Sequence, residues 1–157
     1  MNEPSCTTGQ DDRRAWIAVL ARAPREQLAL HAGALVPSEF EWLRQPETGL
    51  AMVRARVGNT GDRFNLGEVT ITRCVTRHRD ASGDAVAGVG YIKGRDAERA
   101  RWVAMFDALL QRPAYRERLM RDVIGPLRSA IDATRAAEAA RTAASRVRFF
   151  TLQSETA

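Results

Sequence analysis

A glycine-rich run between two strand-like segments limits the fold of this chain more than any other feature. The run GNTGDRFNLG follows LAMVRARV, residues 50–57, and precedes EVTITRCVTRH, residues 68–78. Both flanking segments combine β-branched residues with partial alternation of apolar and polar side chains, which is typical of strands. Glycine and asparagine readily adopt the positive φ of tight turns. The run therefore predicts a β-hairpin in which Gly58, Asn59 and Gly61 have positive φ.

A third strand is predicted shortly after the hairpin. Residues 86–92 read VAGVGYI, and the polar sequence RDASGD separates them from the second strand. Consecutive strands joined by short turns favour an antiparallel meander. The glycines inside the third strand, Gly88 and Gly90, indicate that a helix or another backbone packs closely against it.

Three helices are predicted before the strands. Each starts at a residue favoured at helix N-termini: Asp11 or Asp12, Pro24 and Ser38. The first two are expected to end near Ala23 and Leu35. The third is short and reaches Leu43, because Pro46 would end it.

Three further helices are predicted after the strands. The first spans residues 95–111, with Asp96 as its N-terminal cap. The second begins at Pro113 and is broken by Gly125 and Pro126. The third covers residues 127–146 and is rich in alanine, with two large apolar residues, Leu127 and Ile131. Such a helix has little to bury on its own.

The overall expectation is one α+β domain, a three-stranded antiparallel meander packed by N-terminal and C-terminal helices. A chain of 157 residues suits a single hydrophobic core. The domain is expected to cover residues 12–152, between a disordered tail at 1–11 and a short tail at 153–157. Residues 146–152, RVRFFTL, are predicted to form an edge strand, because Phe149 and Phe150 are too apolar for a free tail.

Positive charge is concentrated in the last third of the chain. The net charge is +5, and Lys93 is the only lysine. Residues 112–148 contain nine arginines and four acidic residues, which by itself gives +5. This pattern is typical of a solvated helix face with local ion pairs. Binding of an anion or of an acidic partner is the alternative, because arginine binds phosphates and carboxylates through a planar fork.

The glycine-rich run has a second interpretation as a phosphate cradle. A Walker loop requires Gly-Lys-Ser/Thr leading into a helix, whereas a strand follows here, so the hairpin is favoured. Arginines nonetheless surround the run and the Gly94–Asp96 turn. The candidates for contact with an anion or with a partner's carboxylates are Arg54, Arg56, Arg63, Arg73 and Arg95.

Residues that would support catalysis or metal binding are not apparent. His31 and His78 have no other ligand at metal-binding spacing, so surface or structural roles are expected. No Gly-x-Ser-x-Gly motif occurs, and Cys74, in mid-strand, is expected to be packed rather than reactive. No catalytic, metal-binding or cofactor-binding residue is therefore assigned.

Cellular context can also be inferred. No apolar run approaches the roughly 18 residues of a membrane span, and the polar N-terminus does not resemble a secretory signal. Cys6 and Cys74 do not suggest a disulfide framework, so reduced thiols in the cytoplasm are expected. The net charge allows nucleic-acid binding, but no recognition motif supports it and aromatic residues are scarce.

Four blocks in a fixed order resemble the PhnG family, whose members are subunits of the bacterial carbon–phosphorus lyase system. They are PETGLAMVRARVGNTGDRFNLGEVTITR, GYIKGRDAERA, IGPL and AASRVRFFTL. The resemblance extends over residues 14–152. The residues of the first block that are taken as its structural motif are Glu47, Thr48, Gly49, Gly58, Gly61 and Gly67.

The resemblance implies a role in phosphonate catabolism. PhnG-like proteins assemble with PhnH-, PhnI- and PhnJ-like subunits, and a PhnL-like protein acts with them. The assembly, a transferase, displaces adenine from ATP with a phosphonate and gives a ribose 1-phosphonate 5-triphosphate. The iron–sulfur cluster and S-adenosylmethionine belong to the PhnJ-like partner. No cofactor is implied for this chain, and the resemblance implies no active site within it.

Two hypotheses about this subunit remain open. In the first it is a non-catalytic assembly subunit, with Arg146, Phe149 and Phe150 as candidate interface residues. In the second it also supplies arginines to a phosphate or phosphonate site shared with a partner. Neither hypothesis includes binding to nucleic acid or to a membrane.

Overall fold

The computed structural model describes residues 5–33, 35 and 39–147. The elements follow in the order α1 (Ser5–Arg22), α2 (Arg25–Ala32), β1 (Phe40–Arg56), β2 (Arg63–Arg79), β3 (Ala85–Lys93), α3 (Ala97–Leu110), α4 (Pro113–Leu119) and α5 (Gly125–Ala144). A 3₁₀ turn, Val57–Asn59, joins β1 to β2, and a π-helical turn, Met120–Ile124, joins α4 to α5.

The sheet is the predicted antiparallel meander, with strand order β1–β2–β3. Helix α3 packs against β3 and β2, and α1 packs against α3. The α+β fold class is therefore confirmed. Strands β1 and β2, with 17 residues each, are longer than expected. The additional residues of β2 belong to the glycine-rich run that was assigned to the turn, and those of β1 include the segment that was predicted as a short helix.

The predicted helix at residues 38–43 was wrong. Phe40, Trp42 and their neighbours belong to β1, where Phe40 lies opposite His78 and Trp42 opposite Thr76. Aromatic residues favour strands, and the two rings alternate onto the sheet face that is covered. Ser38, the expected cap, lies outside the described residues. Pro46 does not end a helix but lies in β1 at a register shift, which is compatible with proline because β1 is an edge strand.

Close packing of helix α3 explains the two glycines of β3. A Cβ atom at Gly88 would overlap the Ala104 carbonyl oxygen, and one at Gly90 would overlap the Ala100 carbonyl oxygen. The expectation that another element packs closely on these glycines is therefore confirmed. Asp96 caps α3, as predicted, because its side chain accepts the Arg99 N–H at 2.9 Å.

A buried carboxylate ties three elements together. Asp107 on α3 is completely buried and accepts hydrogen bonds from Arg13 Nη2 at 2.7 Å and from Trp16 Nε1 at 2.9 Å. It also accepts the N–H of Val89 at 2.9 Å. These bonds satisfy a charge that would otherwise be costly to bury. The surrounding core includes Leu20, Leu28, Ile92, Phe106, Leu110, Ile124 and Leu127.

The start of the first helix differs from the expectation. Helix α1 begins at Ser5 rather than at Asp11 or Asp12, so it includes part of the segment that was assigned to a disordered tail. Residues 5–11 carry no apolar periodicity, but extending a helix that is already anchored by buried Trp16 costs little.

The predicted break at Gly125 and Pro126 was also wrong. Gly125 has helical angles, φ −57° and ψ −58°, and its N–H bonds to the Met120 carbonyl, five residues back. This π-type turn carries the chain into α5, where Pro126 occupies a first-turn position that needs no N–H donor.

Candidate functional site

A two-stranded arm extends beyond the helices. Strand β3 pairs with β2 only from Ile71 onward, so residues 50–56 and 63–70 form a ladder of β1 and β2 alone. Six large apolar side chains on this arm are between 36% and 71% exposed: Leu50, Met52, Val53, Val57, Phe64 and Leu66. These side chains project from both faces of the arm, and exposed apolar surface of this extent is typical of an interaction surface.

The turn at the end of the arm is a hairpin, as predicted, and not a phosphate cradle. Gly58 has φ +57°, which favours glycine. Its neighbours differ from the expectation, because Asn59 lies in the 3₁₀ turn and Gly61 is not among the positive-φ glycines. The N–H groups of Thr60 and Gly61 both bond to the Val57 carbonyl, so neither is directed at a ligand. A Cβ at Gly61 would lie 3.0 Å from that carbonyl oxygen, which accounts for its lack of a side chain.

Three of the five candidate arginines share one face of the arm. Arg56 lies directly opposite Arg63, and Arg54 lies two residues before Arg56 on the same strand. Alternate residues of a strand project to the same face, as do directly opposed residues. All three side chains are exposed, and none takes part in an ion pair with another described residue. Like charges directly opposed weaken a strand pair, and on this face no ion pair with a described residue offsets them.

The other two arginines lie elsewhere. Arg73 lies on the opposite face of β2 and donates from Nε to Glu47 Oε1 at 2.6 Å. On the same face Arg77 bonds Glu41 and, through that hydrogen bond, lowers the pKa of this carboxyl. Arg95 is exposed in the turn before α3. The structure therefore does not bring all five candidates into one site.

A chain of hydroxyl bonds fixes the base of the arm to the body. Thr72 is completely buried, and its hydroxyl donates to the Gly94 carbonyl at 2.7 Å. Its single proton is thereby used, so in the 3.2 Å bond between the two threonine hydroxyls Thr48 is the donor. The Asp96 N–H also approaches Thr72 Oγ1, at 3.3 Å. The base of the arm is thus tied to the N-terminus of α3.

The remaining motif glycines have different explanations. Gly67 lies at a bulge, because Val53 and Arg54 face Gly67 and Asn65 and leave Leu66 without an opposed residue. Nothing in the geometry of Gly49 explains a glycine there.

Helix α5 forms a second exposed element. Leu127 is buried and Ile131 half-buried, but residues 132–147 are exposed throughout. Arg146 lies just after this helix, and Phe149 and Phe150 lie outside the described residues.

The side chains outside the arm that are most often reactive in proteins, a cysteine and a histidine, are buried. Cys74 is completely buried, and burial raises the pKa of its thiol to about 11. His78 is also buried, with its ring 5.1 Å from that of Phe40. Over residues 5–33, 35 and 39–147, no group of three or more His, Cys, Asp or Glu side chains could hold a metal. None of the helices in these ranges is long and apolar enough to cross a bilayer.

A family model described as phosphonate metabolism protein PhnG matches residues 11–154. The chain belongs to the PhnG family. The match includes the arm, the whole sheet and α5, and the predicted extent of the resemblance, residues 14–152, lies within it.

A curated relative supports the same assignment. The chain is 42% identical over 148 residues to the α-D-ribose 1-methylphosphonate 5-triphosphate synthase subunit PhnG of Rhizobium meliloti (strain 1021). The aligned region covers 92% of this chain and 90% of the relative. A PhnG-family protein of this similarity and coverage is expected to share the whole fold.

Sequence reasoning missed two buried polar residues, Thr72 at the base of the arm and Asp107 in the body of the domain. Thr72 and Asp107 are hydrogen-bonded and completely buried, but each has the appearance of an ordinary polar residue in the sequence. Asp107 offered one signal, because it lies among eight buried residues of α3. A charged residue on a buried helix face requires a partner.

Proposed function

We propose that this chain is a non-catalytic subunit of a cytoplasmic complex that makes α-D-ribose 1-methylphosphonate 5-triphosphate or a related ribose phosphonate. The observation that carries the proposal is the 42% identity, over 92% of the chain, to a subunit named for that synthase. In the proposed reaction a phosphonate displaces adenine from ATP. Both substrates are bound by the complex.

The proposed partners are PhnH-, PhnI- and PhnJ-like subunits, with a PhnL-like protein acting alongside. The iron–sulfur cluster and S-adenosylmethionine are assigned to the PhnJ-like partner. The exposed apolar side chains of the arm support an assembly role, because burying them against another subunit is favourable by roughly 25 cal/mol for each Å² of apolar surface. We propose the arm as the main contact, with Arg146, Phe149 and Phe150 adding a second one.

Co-expression with PhnH-, PhnI-, PhnJ- and PhnL-like proteins tests this proposal. The expected result is that this chain elutes with its partners in gel filtration, and that the complex releases adenine from ATP when methylphosphonate is present. Omission of this chain should abolish adenine release. Elution of the chain as a free monomer in every combination would contradict the proposal.

The arginine face supports a second role, contact with a phosphate of the shared substrate. Arg54, Arg56 and Arg63 bring three positive charges together without a carboxylate partner among the described residues. Arginine is well suited to phosphate because its planar fork can donate two hydrogen bonds at once.

Two triple variants separate this role from assembly. The first replaces Arg54, Arg56 and Arg63 by alanine, and the matched control replaces the exposed body arginines Arg14, Arg22 and Arg79. If the arm arginines contact phosphate, the first variant assembles normally but turns over at least ~100-fold more slowly, an effect of about 1 kcal/mol or more for each arginine. Loss of assembly would instead make them interface residues. Normal assembly and turnover would exclude both roles.

A further inference from the structure

The two outer edges of the sheet differ in whether side chains bond to their outward backbone groups. On β3, the outward Ala87 carbonyl accepts bonds from Arg13 Nη2 at 3.1 Å and from Gln111 Nε2 at 2.8 Å. The outward Val89 N–H donates to Asp107 at 2.9 Å. Side chains thus occupy two neighbouring hydrogen-bonding groups in the middle of this edge, which hinders pairing of another strand there.

The edge of β1 along the arm lacks such protection. In the described part of the chain, no hydrogen bond from outside β2 reaches the backbone of residues 50–56. A strand edge of this length with no covering element is a template for pairing with another chain. The residue type that blocks such edges, proline, occurs at Pro46 but not farther along the arm.

The register shows which backbone groups point outward. The Thr70 carbonyl accepts the Gly94 N–H at 2.9 Å, so the backbone groups of Thr70 point toward β3 and away from β1. Leu50 lies opposite Thr70, and this pair is therefore not hydrogen-bonded across the β1–β2 ladder. The N–H and C=O of Leu50, and by alternation those of Met52, are consequently directed to the open edge.

The side chains beside this edge specify the occupant. The side chains of Leu50, Met52, Arg54 and Arg56, at alternate positions of β1, project from one face of the sheet beside the open edge. A strand added at this edge would place its own side chains next to theirs on that face. Apolar residues are favourable beside Leu50 and Met52, and carboxylates are favourable beside Arg54 and Arg56.

We propose that the open edge of β1, residues 50–56, binds an extended segment of a partner subunit by β-strand addition. The segment carries two acidic and two apolar side chains at alternate positions. The assignment of this segment to a subunit of the synthase rests on the proposed function. The sequence pattern that the edge favours does not depend on that function. A second copy of this chain is disfavoured as occupant, because its residues 50–56 contain no carboxylate to place beside Arg54 and Arg56.

A synthetic peptide tests the edge without the complex. The probe is a ten-residue peptide in which valines alternate first with two glutamates and then with two leucines, and the control peptide has lysines in place of the glutamates. On the full-length chain labelled with ¹⁵N, the probe should slow amide hydrogen exchange of Leu50 and Met52 by at least ~10-fold, because these amides gain hydrogen-bond partners. Val53, which already faces β2, should be unchanged. Equal binding of both peptides, or no protection of Leu50 and Met52, would overturn the proposal.

Proline substitution tests the same edge in the assembled complex. Met52→Pro removes an outward N–H that the β1–β2 ladder does not use, so we expect the unfolding midpoint in urea to stay close to that of the parent. We expect peptide affinity and recovery of the partner subunits to fall at least ~10-fold. Leu30→Ala, which removes an exposed apolar side chain on α2 away from the arm, is the control and should retain binding.

Each outcome of this comparison is decisive. Normal assembly of a folded Met52→Pro chain would overturn strand addition but leave the proposed function intact. Failure of the parent chain to assemble would count against the proposed function, while the peptide result would still test strand addition at the edge.

If Met52→Pro is itself unfolded, the charge reversal Arg54→Glu with Arg56→Glu replaces it. That variant should bind the lysine peptide better than the glutamate peptide, and an unchanged preference would overturn the proposal. A dimer of this chain alone that light scattering detects and that Met52→Pro abolishes would also overturn it, because a second copy would then occupy the edge.

Discussion

Strand β2 divides into two halves with opposite surroundings. From Ile71 to His78 it is flanked by β1 and β3 and covered by α3, and its inward side chains are buried. From Arg63 to Thr70 it pairs with β1 alone, and large apolar side chains such as Leu66 remain exposed. The same hairpin thus contributes to the core at one end and presents an unsatisfied surface at the other. Stability and the proposed assembly contacts therefore involve different residues of one continuous element.

Removing a carboxylate from each region is expected to give the largest difference in the free energy of unfolding. Asp107→Ala leaves Arg13, Trp16 and the Val89 N–H without their acceptor, and should lower the free energy of unfolding by about 3–5 kcal/mol. Glu68→Ala, on the exposed arm, should change it by less than about 0.5 kcal/mol. Urea titration followed by circular dichroism measures both. Similar losses in the two variants would mean that the arm is part of the cooperative core.

Replacing a glycine by alanine in each region is expected to give a smaller difference in the free energy of unfolding. Gly88→Ala places a methyl group against the backbone of α3 at Ala104 and Ala108 and should cost about 2–3 kcal/mol, since helix backbone cannot move aside as a flexible side chain can. Gly49→Ala meets no atom within 4 Å and should be neutral or stabilising by up to about 1 kcal/mol. Thermal unfolding of both variants provides the measurement. A tolerated alanine at Gly88 would show that α3 packs less closely than described.

The smallest of the three effects concerns thiol reactivity. In a Cys6→Ser background, Cys74 should react with iodoacetamide at pH 8 at least ~100-fold more slowly than a cysteine introduced by Val57→Cys, because each unit by which the pKa is raised removes about nine-tenths of the thiolate. Urea should abolish the difference. Comparable rates in the native chain would indicate that β2 opens readily beneath α3.

The meander, the cap at Asp96 and the close contacts at Gly88 and Gly90 could be predicted because each depends on local sequence. Turn glycines, alternation and capping residues act over a few positions. The first half of β1 could not be predicted, because the aromatic spacing around Trp42 is also compatible with a short helix. Burial against the sheet decides between the two, and burial is not local information.

The candidate site was only partly predictable for the same reason. The sequence places Arg54, Arg56, Arg63 and Arg73 around one hairpin, but their faces depend on the register and on the bulge at Leu66. Pairing of Arg73 with Glu47, 26 residues away, removes it from the cluster. The bond between Arg13 and Asp107 spans 94 residues and left no signal in the spacing of either.

The hydroxyl bonds at Thr72 have a consequence for the geometry of any assembly. They connect the base of the arm to the turn that begins α3, through Gly94 and Asp96. The eight residues from Gly49 to Arg56 extend about 25 Å from this point. Because these bonds fix the arm to the body of the domain, a subunit that binds the arm also determines the orientation of the whole domain. Small rotations at Thr72 would become displacements of several ångströms at the arginines.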